Sequence, residues 1–131
     1  MTHIDRNFVA MGLVWLVTGM VLGFYMGARN DNTFLQVHVA MLMGGFVVLT
    51  LYGILYRLWP AMKQSPLAKA QFWCAFISAF VIVAGTVERA LNGSVALVAA
   101  GSALAIVGAI LMAWQFVAHA ESPLRDSAVA G

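Results

Sequence analysis

The chain has 131 residues, of which 63% are hydrophobic and only 9% charged, and its net charge is +2. Soluble domains carry about 25% charged residues, and a fold of this size cannot hide so much apolar surface from water. The composition therefore excludes a soluble globular domain, and the small, scattered positive charge excludes a nucleic-acid-binding surface. Because Cys74 is the only cysteine, a disulfide framework is excluded as well.

Four apolar segments follow one another along the chain, each close to the ~20 residues that a helix needs to cross a bilayer. They cover residues 8–28, 34–59, 67–91 and 95–118. The first is longer than the apolar region of a cleaved signal peptide, about 7–15 residues, so we interpret it as a retained helix. Short polar connections make neighbouring helices antiparallel. The sequence thus predicts an all-α, integral membrane four-helix up-down bundle within residues 1–120 and a polar tail over residues 121–131.

The basic residues divide unequally between the two ends of this predicted bundle. The end with both termini holds Arg6, Arg57, Lys63, Lys69 and Arg125, whereas the other end holds only Arg29 and Arg89. The positive-inside rule therefore predicts a multi-pass protein with both termini in the cytoplasm. An interfacial aromatic belt is predicted at the same end, formed by Tyr56, Trp59, Trp73 and Trp114.

Small residues mark faces where helices can approach each other closely. The first segment carries a ridge of Gly19, Gly23 and Gly27, and the fourth carries Ala96, Ala100, Ala103 and Gly108. Such ridges indicate either internal packing of the four helices or a surface for self-association or a partner.

His38 is the main candidate for chemistry, because it lies about one turn inside the second segment, where an ionisable side chain is costly. Gly44 and Gly45 follow it and predict an open notch beside the imidazole. A neutral imidazole is a natural axial ligand of haem, and a methionine thioether can supply the opposite one. Met26 of the first segment is the better second ligand, because Met41 shares a helix with His38.

The same residues allow two other interpretations. One imidazole with one or two thioethers forms a plausible soft Cu(I) site. Alternatively, His38 simply hydrogen-bonds a neighbouring helix or an interfacial water, and the methionines fill space in the apolar core.

Charged residues near the outer ends could complete a haem site or form a surface ion pair. Arg29 or Arg89 could hold a haem propionate, since guanidinium groups suit carboxylates, and Glu88 could pair with Arg29 or lie near His38. No paired intramembrane carboxylates, catalytic triad or phosphate-binding glycine loop is present in the sequence, so no catalytic residues are predicted.

The segment from Gln36 to Trp73, QVHVAMLMGGFVVLTLYGILYRLWPAMKQSPLAKAQFW, resembles a helix pair in subunit I of the C-type haem–copper oxidases. It is still more similar to the short four-helix membrane proteins grouped with that subunit. The shared positions are His38, Gly45, Phe46, Gly53, Tyr56, Arg57, Pro60, Phe72 and Trp73. The resemblance covers under a third of the chain and implies a bacterial inner-membrane protein with a haem-type pocket.

The chain departs from that pattern at three expected histidines, where it has Ala40, Gln71 and Ala75. An oxygen-reducing site needs several imidazoles, so an autonomous oxidase is not expected. Two hypotheses follow: a b-type haem-binding protein in electron transfer or haem handling, or a cofactor-free accessory subunit of a larger respiratory-type complex. In either case we expect a homo-oligomer or a larger membrane assembly, with Cu(I) binding as a third alternative.

Overall fold

The computed structural model describes residues 3–119, so the predicted tail over residues 121–131 lies outside the described part. Four long helices run in sequence: α1 Ile4–Arg29, α2 Leu35–Leu58, α3 Leu67–Ala90 and α4 Ala96–His119. A short 3-10 helix, Pro60–Gln64, connects α2 to α3. All four long helices have the length and hydropathy of membrane spans, and residues 3–119 contain no strand. The predicted all-α four-helix membrane bundle is confirmed.

The first helix begins at Ile4, one turn before the apolar segment that the sequence marks. This extra turn is held because Ile4 is fully buried and the Asp5 carboxylate lies 2.9 Å from the Lys63 ammonium group. At its other end α1 stops at Asn30, which adopts a left-handed backbone conformation with φ of 50°. Asparagine tolerates that conformation better than most residues, and the chain can therefore turn sharply towards α2.

The second helix changes its geometry in the middle of the span. Residues Met41–Val47 form a π-helical segment between two α-helical parts, Leu35–Ala40 and Val48–Leu58. A π turn holds more residues than an α turn, so it rotates the side chains before it relative to those after it. Gly44 and Gly45 both lie in this segment and, as adjacent residues, face different neighbours: Gly45 meets Trp15 of α1, whereas Gly44 lines a cavity beside α3 and α4.

The helices pack as two antiparallel pairs, α1 with α2 and α3 with α4, which are joined mainly where α2 meets α3. Aromatic rings also connect α1 to α3: Phe8 and Phe72 have centroids 4.8 Å apart, and Trp15 and Phe80 have centroids 4.9 Å apart. The ends of the helices near Arg6, Arg57, Lys63 and Lys69 lie together, and we call this end the basic end. The other end, near Arg29 and Arg89, is called the opposite end.

Most of the glycine ridge on α1 serves internal packing. A side chain on Gly19 would collide with Leu42, and one on Gly23 would collide with His38, whereas Gly27 has no neighbour within 4 Å. On α4 only part of the predicted small-residue face serves internal packing. Gly108 packs against Cys74 and Ala75, but Ala96, Ala100 and Ala103 are exposed. The helix contact instead uses Gly101, which meets Ile82 of α3.

Candidate functional site

The His38 imidazole is half-buried and lies against the glycine ridge of α1. Its Nδ1 is 2.7 Å from the carbonyl oxygen of Gly19, and a Cβ on Gly23 would be only 2.7 Å from its Cε1. A carbonyl oxygen can only accept a hydrogen bond, so Nδ1 carries the proton and donates it. In the neutral imidazole the lone pair then belongs to Nε2.

This hydrogen bond has two chemical consequences. It satisfies a polar group in a region where water is scarce, and so it holds α2 against α1. It also sets the tautomer that metal-bound histidines use, since they commonly donate the second ring N–H to a carbonyl oxygen. The His38 contact is therefore compatible both with helix packing and with a metal ligand at Nε2.

The prediction of an open notch at Gly45 is wrong, because the Trp15 side chain fills that space. A Cβ on Gly45 would collide with Cγ of Trp15 and would lie 2.7 Å from its Cβ. A Cβ on Gly44 would meet no atom within 4 Å. The cavity that Gly44 lines, however, has a volume of only about 70 Å³. Ligand pockets are commonly about 300–1,000 Å³, so this cavity is far too small for a macrocycle.

Met26 is buried on α1, one turn beyond Gly23 on the same helix face. A haem held between His38 and Met26 would have to separate the imidazole from α1. The 2.7 Å distances from His38 to Gly19 and to the Gly23 Cβ position leave no such gap. Within one chain in this packing, the two side chains do not fit the two faces of a haem. Met41 also packs on α1, beside Gly19.

The charged residues of the opposite end do not form the ion pair considered from the sequence. The Arg29 guanidinium lies 4.9 Å from the centre of the Tyr25 ring, and Arg89 is exposed. Glu88 packs against Gly93, and its Oε2 is buried without a hydrogen-bond partner among residues 3–119. No ion pair joins Glu88 to either arginine in this range. The role of Arg29 and Arg89 towards a propionate stays a prediction.

A buried polar cluster near the basic end was not anticipated from the sequence. The Tyr56 hydroxyl lies 3.2 Å from Gln71 Oε1 and 3.3 Å from Gln115 Oε1, and all three residues are fully buried. Tyr56 therefore does not belong to the interfacial aromatic belt, because its hydroxyl joins α2 to α3 and α4 inside the bundle. The presence of two glutamines within apolar helices could have indicated this cluster, because polar groups at membrane depth usually pair with each other.

The hydroxyl of Tyr56 has one proton, so it can donate to only one of the two amides and must accept from the other. The amide of Gln115 donates to the carbonyl of Leu111, which leaves its oxygen free to accept from Tyr56. The nitrogen of Gln71 has no partner among the described residues. Turning the Gln71 amide by half a rotation lets that nitrogen donate to Tyr56, and the three side chains then form one ordered chain of hydrogen bonds.

The positions singled out by the oxidase resemblance are not brought together. Gln71, which stands where a histidine is expected, bonds to Tyr56 near the basic end, whereas His38 lies near the opposite end. Ala75 is buried on α3, and Ala40 is half-buried. Within residues 3–119, no group of three or more His, Cys, Asp or Glu side chains is arranged to hold a metal ion.

Comparisons with protein-family models, curated proteins and solved structures give no match to this chain.

Proposed function

We propose that this chain is a cofactor-free accessory subunit that stabilises a larger, respiratory-type complex in the membrane. The observation that carries the proposal is the packing of Trp15 against Gly45, which occupies the space beside α2 that a macrocycle inside one chain would need. The hydrogen bond from His38 to Gly19 also holds α1 against α2. The Tyr56 cluster acts in the same way, because its hydrogen bonds connect three helices.

The outer surface of the bundle also supports this role. The fourth helix packs mainly against α3, and only 17% of its most apolar stretch is buried, against 44% for α3. Its outward face carries Ile106, Ile110, Trp114 and Val117. Such a face can meet lipid or another membrane subunit, and the connections between the helices are too short to form a soluble domain.

The location and orientation belong to the same proposal. The chain lies in a bacterial inner membrane with the basic end, and so both termini, in the cytoplasm. The excess of Lys and Arg at that end supports this orientation through the positive-inside rule. The bacterial origin rests on the oxidase resemblance alone.

The test is purification of the tagged chain, at its native expression level, in mild detergent. We expect a colourless chain in fixed stoichiometry with a larger complex, and we expect that complex to dissociate at a lower temperature when the chain is deleted. Replacing the deleted chain with a plasmid-borne copy should restore the dissociation temperature. Recovery of a free single-chain species, with an unchanged complex in the deletion strain, would contradict the proposal.

A second candidate is a b-type haem ligated by His38 at an interface with another copy or another subunit. The hydrogen bond from Nδ1 to Gly19 favours it, because it leaves the lone pair on Nε2 and the imidazole is only half-buried. The opposite ligand would be the same residue of a second copy or a residue of the partner. Arg29 and Arg89 lie at the same end and are the candidates for a propionate.

Visible spectra of the oxidised and reduced protein distinguish the two candidates. An interface haem should give sharp reduced α and β bands that disappear in His38→Ala and persist in Met26→Leu. Loss of the bands in Met26→Leu would instead place the haem within one chain and would contradict the packing described above. A featureless spectrum with haem supplied would rule out this second candidate.

A further inference from the structure

A groove at the basic end combines an apolar wall with two arginines. It holds about 340 Å³ and runs along one side of α1, where Val9, Ala10 and Leu13 form its wall and Arg6 and Arg57 its rim. Neither guanidinium is enclosed: Arg6 is exposed, and the Arg57 side chain is 79% exposed.

The carboxylate in this groove, Asp5, does not cancel the positive charge. Its side chain is only 10% exposed, and Lys63 holds it at 2.9 Å. Arg57 lies farther from it, at 3.5 Å, so most of that guanidinium remains available. Two cations therefore hold one carboxylate, and the Arg6 and Arg57 side chains are both exposed. A guanidinium binds phosphate well because its planar N–H donors match the phosphate oxygens.

We propose that this groove binds one anionic phospholipid. The phosphate group contacts Arg6 and Arg57, and one acyl chain lies along Val9, Ala10 and Leu13. The depth of the two parts matches a lipid: Arg6 and Arg57 lie at the ends of the α1 and α2 spans, where headgroups are found, and the apolar wall continues one to two turns along α1. This inference does not depend on the proposed function.

The test is native mass spectrometry of the full chain in mild detergent, with phosphatidylglycerol, phosphatidylcholine or inorganic phosphate added separately. We expect one phosphatidylglycerol to be retained in preference to phosphatidylcholine. The double variant Arg6→Gln/Arg57→Gln should bind it about 25-fold more weakly, roughly fivefold for each arginine. The matched double variant Arg29→Gln/Arg89→Gln, which removes the same charge at the opposite end, should bind normally.

A second pair of variants tests the acyl-chain part of the site. Ala10 is exposed on the groove wall, so Ala10→Phe should fill the groove and prevent retention of the lipid without disturbing the core. Val17→Phe adds a ring elsewhere on the exposed face of α1 and should leave lipid binding unchanged. Retention of phosphatidylglycerol by Ala10→Phe would show that the groove wall does not hold an acyl chain, and displacement of phosphatidylglycerol by inorganic phosphate would show a site for free phosphate. Either result would overturn the lipid proposal. Equal retention of phosphatidylcholine would overturn its charge selectivity.

Discussion

The contact between Trp15 and Gly45 decides whether there is room for a cofactor beside α2, and the neighbouring glycine gives a matched control for it. A Cβ on Gly45 would collide with Cγ of Trp15 and would lie 2.7 and 2.9 Å from two further atoms of that side chain, Cβ and Cδ1. Since Cβ and Cγ lie close to the backbone of α1 and cannot move away without moving the helix, Gly45→Ala should force α1 and α2 apart. A Cβ on Gly44 meets nothing within 4 Å.

The two substitutions therefore change stability in opposite directions. Adding a methyl group to a filled core costs about 1–3 kcal/mol. Replacing glycine by alanine inside a helix gains about 0.8–1 kcal/mol when the methyl group has room. We expect Gly44→Ala to raise the free energy of unfolding by about 0.8–1 kcal/mol, and Gly45→Ala to lower it by up to about 2 kcal/mol, which is the overpacking cost less the helix gain.

The assay is reversible unfolding in mixed detergent micelles, followed by circular dichroism and tryptophan fluorescence. Fluorescence adds a local signal, because Gly45→Ala should shift the emission of Trp15 whereas Gly44→Ala should not. A Gly45→Ala protein as stable as Gly44→Ala, with unchanged emission, would refute the packing. It would also reopen the space beside His38 for a cofactor.

Three further predictions concern polar groups. Tyr56→Phe should lower the free energy of unfolding by about 1–3 kcal/mol, because it leaves two buried amides without their shared hydroxyl, whereas Tyr25→Phe at an exposed ring should have little effect. Asp5→Asn should lower it by about 1–3 kcal/mol, since it leaves a lysine and an arginine without their carboxylate, and the same unfolding assay measures the loss. In the loop after α1, hydrogen bonds from the Thr33 hydroxyl and N–H hold the pKa of Asp31 below its usual value. Thr33→Val should raise that pKa part of the way, as measured by a carbon-13 NMR titration of the carboxyl group.

Each of these predictions has its own contradicting result. A Tyr56→Phe protein with wild-type stability would mean that the amides find other partners. If Asp31→Asn, at an exposed carboxylate, destabilised the protein as much as Asp5→Asn, the loss would not come from the ion pairs. The Thr33 hydroxyl and N–H donate to the ionised Asp31 carboxylate, so these bonds are lost as the pH falls through its lowered pKa. An unchanged titration midpoint of Asp31 in Thr33→Val would exclude the hydroxyl as the cause of the lowered pKa.

The helical membrane bundle could be predicted from the sequence because it depends on quantities that are local to each segment. A stretch of about 20 apolar residues must form a helix in lipid, since each backbone polar group needs a partner and no water is available. The short connections then determine the up-down order. The predicted span boundaries agree with α2, α3 and α4 to within one residue at each end, and only the start of α1 differs, where a buried ion pair extends the helix.

The candidate site required the tertiary structure, because its properties depend on which side chains occupy the space between helices. The sequence singled out His38 and Gly45, but it could not show that Trp15 fills the space beside the glycine or that the Gly19 carbonyl accepts a hydrogen bond from the imidazole. Gln71 and Tyr56 are separated along the chain and become partners only when α2 and α3 pack together. Apolar segments determine that helices form, whereas the contacts between helices decide which polar groups are satisfied and which remain free for a ligand.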